Sequence, residues 1–139
     1  VTITAVGPVP RGVAIGFVAN GTANATAPAA AAIGAESLGA RGSALYIAEY
    51  AGKIHCLDSK TGEPYWVHDT LSRIWGSTLV VDGKVYIGTE DGEVVVFQAG
   101  KEKKLLNTLD MGAPVYSSPV FSNGTLYIAT QTHLYAIGE

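Results

Sequence analysis

The sequence predicts an all-β fold: a partial β-propeller of about two to three four-stranded antiparallel blades in an incomplete ring, behind a low-complexity N-terminal lead-in. Three observations predict it. Leu45-Tyr46-Ile47-Ala48 recurs as Val85-Tyr86-Ile87-Gly88 forty residues on, and as Leu126-Tyr127-Ile128-Ala129 forty-one further. A period of about 40 residues carrying short strands is the signature of a propeller blade. Between Gly76 and Gln98, three apolar runs (Leu79–Val81, Val85–Ile87 and Val94–Phe97) are separated by Asp82-Gly83 and Asp91-Gly92. Asp-Gly pairs between β-rich runs mark hairpins, because a type I′ turn needs φ > 0 at both central residues. Finally, Val94-Val95-Val96-Phe97 and Leu79-Val80-Val81 are apolar at consecutive positions, as in a strand buried on both faces by stacked sheets. A two-sheet sandwich does not explain the period, and the glycine spacing and β-branched content exclude a helical solenoid.

In chain order, residues 1–43 differ from the rest. Gly16 to Pro28 and the run Ala29–Ala32 are small-residue, low-complexity sequence with neither strand alternation nor a helical stripe. Three readings stand: a linker or poorly ordered lead-in, a degenerate blade strand near Glu36–Ala40, or a segment in another reading frame. Arg41-Gly42, where a pair like Asp82-Gly83 belongs, keeps the last of these open. Asn20-Gly21-Thr22 and Asn24-Ala25-Thr26 fit glycosylation triplets, which chance supplies in an Ala/Gly/Thr-rich stretch.

Residues 44–139 carry the repeat. Asp82-Gly83 precedes the second copy as Asn123-Gly124 precedes the third, and Gly76-Ser77-Thr78-Leu79-Val80 is matched with Tyr116-Ser117-Ser118-Pro119-Val120. Lys53–Leu57 matches Glu93–Phe97 and His133–Ile137, with the turn at Gln131-Thr132 one residue shorter. The copies supply a partial blade, a whole one (Gly76 to about Asp110) and one without its last strand. Propellers close with about 4–8 blades, so a ring needs at least about 160 residues. The chain is therefore read as the C-terminal part of a longer protein, completed by missing blades or another protein.

After the first copy comes Asp58-Ser59-Lys60-Thr61-Gly62-Glu63-Pro64-Tyr65-Trp66. Asp and Thr side chains can bond turn amides, Gly62 tolerates φ > 0, and Trp66 offers a large apolar wedge. This stretch resembles the tryptophan-docking motif, A-x-D-x-x-T-G-x-x-x-W, of the pyrroloquinoline-quinone (PQQ)-type propeller repeat family. Cys56 stands at its small-residue position, followed by Asp58, Thr61, Gly62 and Trp66. The second copy is degenerate, with Val96, Gln98 and, at the tryptophan position, Leu106; the third keeps Ala136 but has Gly138 for the aspartate. The resemblance covers about two-thirds of the chain and implies an eight-bladed type of ring outside the cytoplasm. It implies one of three roles. The first is a non-catalytic scaffold or binding module for a protein or polymer partner, as in an outer-membrane assembly lipoprotein of similar repeat type. The second is a fragment of a PQQ- and Ca²⁺-dependent quinoprotein alcohol or sugar dehydrogenase. The third is an extracellular sensor attached to a module such as a kinase. The dehydrogenases place an adjacent Cys-Cys pair and acidic and amide Ca²⁺ ligands in the axial funnel; this chain has one cysteine and no recognisable set.

The remaining residues point to no chemistry. With 47% hydrophobic and 15% charged residues the chain suits buried β-structure. A net charge of −3 argues against nucleic acid, and Lys101-Glu102-Lys103-Lys104 reads as a solvated turn. No apolar stretch is long enough for a membrane helix, and no signal-peptide pattern is visible. A single cysteine excludes an internal disulfide or a cysteine-cluster metal site. Cys56 reads as a small core residue and His55 as a packed, satisfied histidine; His68 and His133 read as solvent-facing, none of them spaced as metal ligands. Glu90-Asp91-Gly92-Glu93 lacks the spacing of a Ca²⁺ loop, and Ser117-Ser118 lacks a nucleophile-elbow context. Tyr46, Tyr86 and Tyr127 recur at one blade position as packing. The expectation is a binding module with no catalytic or metal residue and no evident cofactor.

Overall fold

A computed structural model of the protein describes residues 15–19, 29–33, 44–58 and 61–138. Among the described residues there are strands and turns and no helix. The first sheet is β1 (Ile15–Ala19), β2 (Ala29–Ile33), β3 (Ala44–Ala48), β4 (Lys53–Asp58) and β5 (Pro64–Asp69), in that order. The second is β6 (Leu79–Val81), β7 (Lys84–Gly88), β8 (Glu93–Gln98) and β9 (Leu105–Asp110), and the third is β10 (Val120–Ser122), β11 (Thr125–Ala129) and β12 (Leu134–Ile137). Every pairing is between chain neighbours and antiparallel, so each sheet is a meander, and the three together form an open section of a propeller.

Two strands fall inside residues 1–43. β1 pairs with β2 (Ile15 opposite Ile33), and β2 pairs with β3 (Ile33 opposite Leu45), so the first sheet has five strands. The strand considered near Glu36–Ala40, the Arg41-Gly42 pair and both glycosylation triplets lie outside the described residues.

The turns divide into two kinds. Asp82-Gly83 (φ 49° and 66°) and Asn123-Gly124 (φ 49° and 76°) have both central residues in the left-handed region, as a type I′ hairpin requires. Asp91-Gly92 does not follow that pattern. Only Gly92 has positive φ (91°), and the hairpin is closed by Thr89 N–H donating to the Glu93 carbonyl at 2.8 Å. Glu49 and Lys53 close the equivalent turn of the first sheet at 2.8 Å, with Gly52 at φ 99°. A three-residue loop ending in a left-handed glycine lets the strands keep their twist where two residues do not suffice.

Directly opposed residues of an antiparallel pair share a face, so the register sorts the side chains. On the second sheet Val85, Ile87, Val95 and Phe97 face the first blade, packing with Ala44, Tyr46, Ala48, Ile54, Cys56, Trp66 and Ile74. Val94 and Val96 point the other way, forming a second core with Met111, Val115, Leu126 and Ile128. The consecutive apolar residues of β8 thus serve two cores, one per face.

The register also moves two of the sequence matches by one residue. Leu79 opposes Tyr86 and Val120 opposes Tyr127, so Leu79 corresponds to Val120, not to Pro119. Trp66 opposes Cys56 and Asn107 opposes Val96, so Asn107, not Leu106, holds the tryptophan position of the second blade. The physical reason for the second shift is a longer turn: Asp58 N–H bonds Glu63 O at 2.7 Å, whereas Gln98 N–H reaches Lys104 O at 2.9 Å.

Candidate functional site

The Asp58–Trp66 stretch builds the junction between the first two blades. Asp58 Oδ1 accepts from Thr61 N–H at 3.0 Å, Thr61 Oγ1 accepts from Glu63 N–H at 3.2 Å, and Gly62 N–H donates to the Asp58 carbonyl at 2.8 Å. Gly62 sits at φ 75° with open space around it, a conformation that favours glycine. Asp58 Oδ2 accepts from the Tyr65 hydroxyl at 2.5 Å, and this bond to a carboxylate pushes the phenol up to about 12.

This turn delivers Trp66 into the cleft between the sheets. Only 8% exposed, its ring lies 5.1 Å from Phe97 of the second blade and 5.9 Å from Tyr46 of its own, centroid to centroid. Its Nε1–H donates to the Gly100 carbonyl at 3.0 Å, while Gly100 N–H donates to Tyr46 Oη at 2.7 Å. The Cys56 thiol points at the same Gly100 carbonyl at 3.5 Å. Side chains of one blade therefore hold both polar groups of one peptide position on the next. Burial pushes the Cys56 thiol up to about 11 and the Tyr46 phenol higher still, so both stay protonated. Lys103 Nζ donates to Val67 O at 3.4 Å and Lys101 Nζ lies 5.2 Å over the Tyr65 ring, so the lysine run crosses back to the first blade.

The structure separates the histidines. His55 Nε2 is bonded to Glu49 Oε1 on the face of the first sheet turned away from the second blade. His133 is exposed, its Nδ1 2.8 Å from Thr132 Oγ1. His68 departs from the sequence reading. It is half-buried, edge-on to Phe97 at 4.9 Å, because it stands two residues from Trp66 along β5 and so shares the face turned towards the second blade. Burial first, and Lys103 second, hold its pKa below the usual histidine value.

A surface that sequence reasoning missed lies on one rim, where the β3–β4 and β7–β8 turns meet the β5–β6 and β9–β10 connections. Ile74 N–H bonds Tyr50 O at 3.2 Å and Glu90 N–H bonds Arg73 O at 2.8 Å; at the next junction Val115 N–H bonds Thr89 O at 3.0 Å and Gln131 N–H bonds Pro114 O at 2.8 Å. Ile74 and Val115 are buried plugs, and the residues after them, Trp75 and Tyr116, are 53% and 43% exposed. Trp75 meets Tyr50 edge-on at 4.8 Å and Tyr116 at 6.0 Å, and its Nε1–H donates to Glu90 Oε2 at 2.9 Å. Arg73 lies 5.5 Å over the Tyr50 ring. The signal available in the sequence was an aromatic recurring forty-one residues apart, hidden by the one-residue error in the match.

The family model described as outer membrane protein assembly factor BamB matches residues 18–138. No curated protein matches. Among solved structures, the chain is similar to BamB from Moraxella catarrhalis, with a TM-score of 0.59 and 22% identity over 69% of this chain and 30% of that one. It is similar also to the quinohemoprotein alcohol dehydrogenase ADHIIG from Pseudomonas putida HK5, with a TM-score of 0.56 and 22% identity over 63% of this chain and 15% of that one. The computationally designed Ika4 protein gives a TM-score of 0.57 at 17% identity, over 68% of this chain and 61% of that one. At these identities the likeness is one of fold. The chain spans less than a third of the length of the BamB and the dehydrogenase.

Proposed function

The chain belongs to the family of the outer membrane protein assembly factor BamB, a PQQ-type propeller repeat family, and from that premise we propose that it is a non-catalytic section of a propeller serving as a scaffold or binding module outside the cytoplasm. The observation that carries this reading is where the motif's polar groups are spent. Asp58, Thr61 and Gly62 shape a turn, and Cys56, Tyr46 and Trp66 converge on Gly100, so Cys56, Asp58, Thr61, Gly62 and Trp66 act as a structural tryptophan-docking motif. Residues 44–139 are the repeat unit proper, and residues 1–43 are a lead-in whose described strands extend the first sheet.

The outward face of the third sheet supports a further blade as its nearest partner. Val120, Tyr127, Leu134 and Ala136 share that face, at the positions where Leu79, Tyr86, Val94 and Val96 of the second sheet pack on the third. Val120 is 56% and Leu134 71% exposed there.

The likeness in fold to the quinohemoprotein dehydrogenase favours a second reading, a section of a PQQ- and Ca²⁺-dependent enzyme. The described residues do not fit that group. None of the His, Cys, Asp and Glu side chains among them gather in threes as a metal site needs, and the Cys56 thiol is committed to the core between blades. The full-length protein, incubated with PQQ and Ca²⁺, is expected to show neither a shift in melting temperature nor alcohol-dependent dye reduction. Dye reduction would replace the scaffold reading with the enzyme.

A further inference from the structure

We infer that the Trp75 rim is a docking surface for a protein segment that presents an arginine or lysine side chain. This rests on the scaffold reading and names the partner's chemistry for it.

Three observations meet here. The first is composition: Trp75, Tyr50, Tyr116 and Arg73 are the residue types that dominate binding hot spots, gathered at one place from three loops. A large aromatic left half-exposed loses burial energy that the fold elsewhere collects from Trp66, which is 8% exposed. The second is preorganisation. Two edge-on tyrosines and the Nε1–Glu90 bond fix the Trp75 ring before any partner arrives, so little side-chain entropy is lost on binding. The third is charge. Glu90 bonds the ring's Nε1 and pairs with Arg73, the exposed Asp91 follows it in the chain, and Glu49 lies one residue from Tyr50. Arg73 itself shows what the surface holds well: a guanidinium over an aromatic face, 4.0 Å from a carboxylate. A second cation from a partner would find the same pairing on Trp75, with Glu90 and Asp91 to steer it. A nucleic acid would meet the wrong charge.

The test is selection of random twelve-residue peptides displayed on phage against the full-length protein, with the enriched peptides remeasured as synthetic peptides. The expected result is enrichment of peptides carrying Arg or Lys. Their affinity should fall at least about tenfold in Trp75→Ala and severalfold in Glu90→Gln, and weaken with salt. Glu90→Gln keeps an acceptor for Trp75 Nε1, so it isolates the charge, and Trp75 is exposed enough for its alanine variant to keep the fold. Peptides without basic residues, peptides indifferent to Trp75→Ala, or no enrichment at all would overturn the inference. Those results leave the scaffold reading to the PQQ test. A neutral oligosaccharide bound on a glycan array in a Trp75-dependent way, with no peptide, would overturn it in favour of a carbohydrate partner.

Discussion

Replacing Trp66 with alanine tests the blade junction most directly. The indole is 8% exposed, packed between the tilted rings of Phe97 at 5.1 Å and Tyr46 at 5.9 Å, and bonded to Gly100 O at 3.0 Å. Truncating a buried Trp to Ala costs about 3–5 kcal/mol through lost transfer energy and the cavity left behind. The two ring pairs, worth about 0.5–1.5 kcal/mol each, place Trp66→Ala near 4 kcal/mol, about the middle of that range. Trp66→Phe separates the contributions. It keeps an aromatic ring in the cleft but removes the Nε1 donor, and should cost about 1–2 kcal/mol. Urea unfolding of the full-length protein, followed by circular dichroism, reads both as shifts in midpoint at constant slope; the alanine variant should lose about 2 M for a slope near 2 kcal/mol/M. A cost below about 1 kcal/mol for Trp66→Ala would show that the ring is not a wedge between blades. Equal costs for the two variants would place the energy in the hydrogen bond, not in the packing.

Three further outcomes follow from the same geometry. A Cβ at Gly88 would lie 2.2 Å from Val115 Cγ1 and 2.8 Å from its Cβ, so Gly88→Ala should cost about 1–3 kcal/mol by urea unfolding, and Val115→Ala in the same chain should recover part of it. Asp58→Asn removes the carboxylate that holds the Tyr65 phenol near 12, so an ultraviolet titration of phenolate should find Tyr65 returned towards its ordinary 10. His68 has its folded pKa lowered by burial and by Lys103, so the unfolded chain binds the extra proton first as pH falls. Its contribution to stability is present above about pH 6.5 and lost through the lowered folded value, and His68→Gln should flatten the unfolding midpoint across that range.

Much of this was legible in sequence because it depends on residues close together in the chain. The type I′ hairpins at Asp82-Gly83 and Asn123-Gly124 need only two residues that accept φ > 0, and both pairs do so. The Asp58–Gly62 turn is likewise closed by its own side chains. The burial of Cys56 and the double-faced burial of β8 also follow from position within a repeat, and His55 is satisfied by Glu49. What was misread depended on a count along a strand. The one-residue shifts at Asn107 and Val120 both follow from the one extra residue in the β8–β9 turn, and a slip of one flips every side chain to the other face. The inward turn of His68 was missed because a strand end looks exposed until the neighbouring blade stands beside it.

The sequence by itself determined the repeat, its period, its strand order and the residues of the junction turn, since hairpin chemistry and alternation are local properties of the chain. Only the tertiary structure decided what crosses between blades. Gly100 is an unremarkable turn residue until Trp66, Tyr46 and Cys56 reach it from 34 to 54 positions away, and Trp75 gathers Tyr50, Glu90 and Tyr116 from three loops onto one rim. Those contacts follow from the stacking of one sheet on the next, which brings together residues that no local rule of the chain relates.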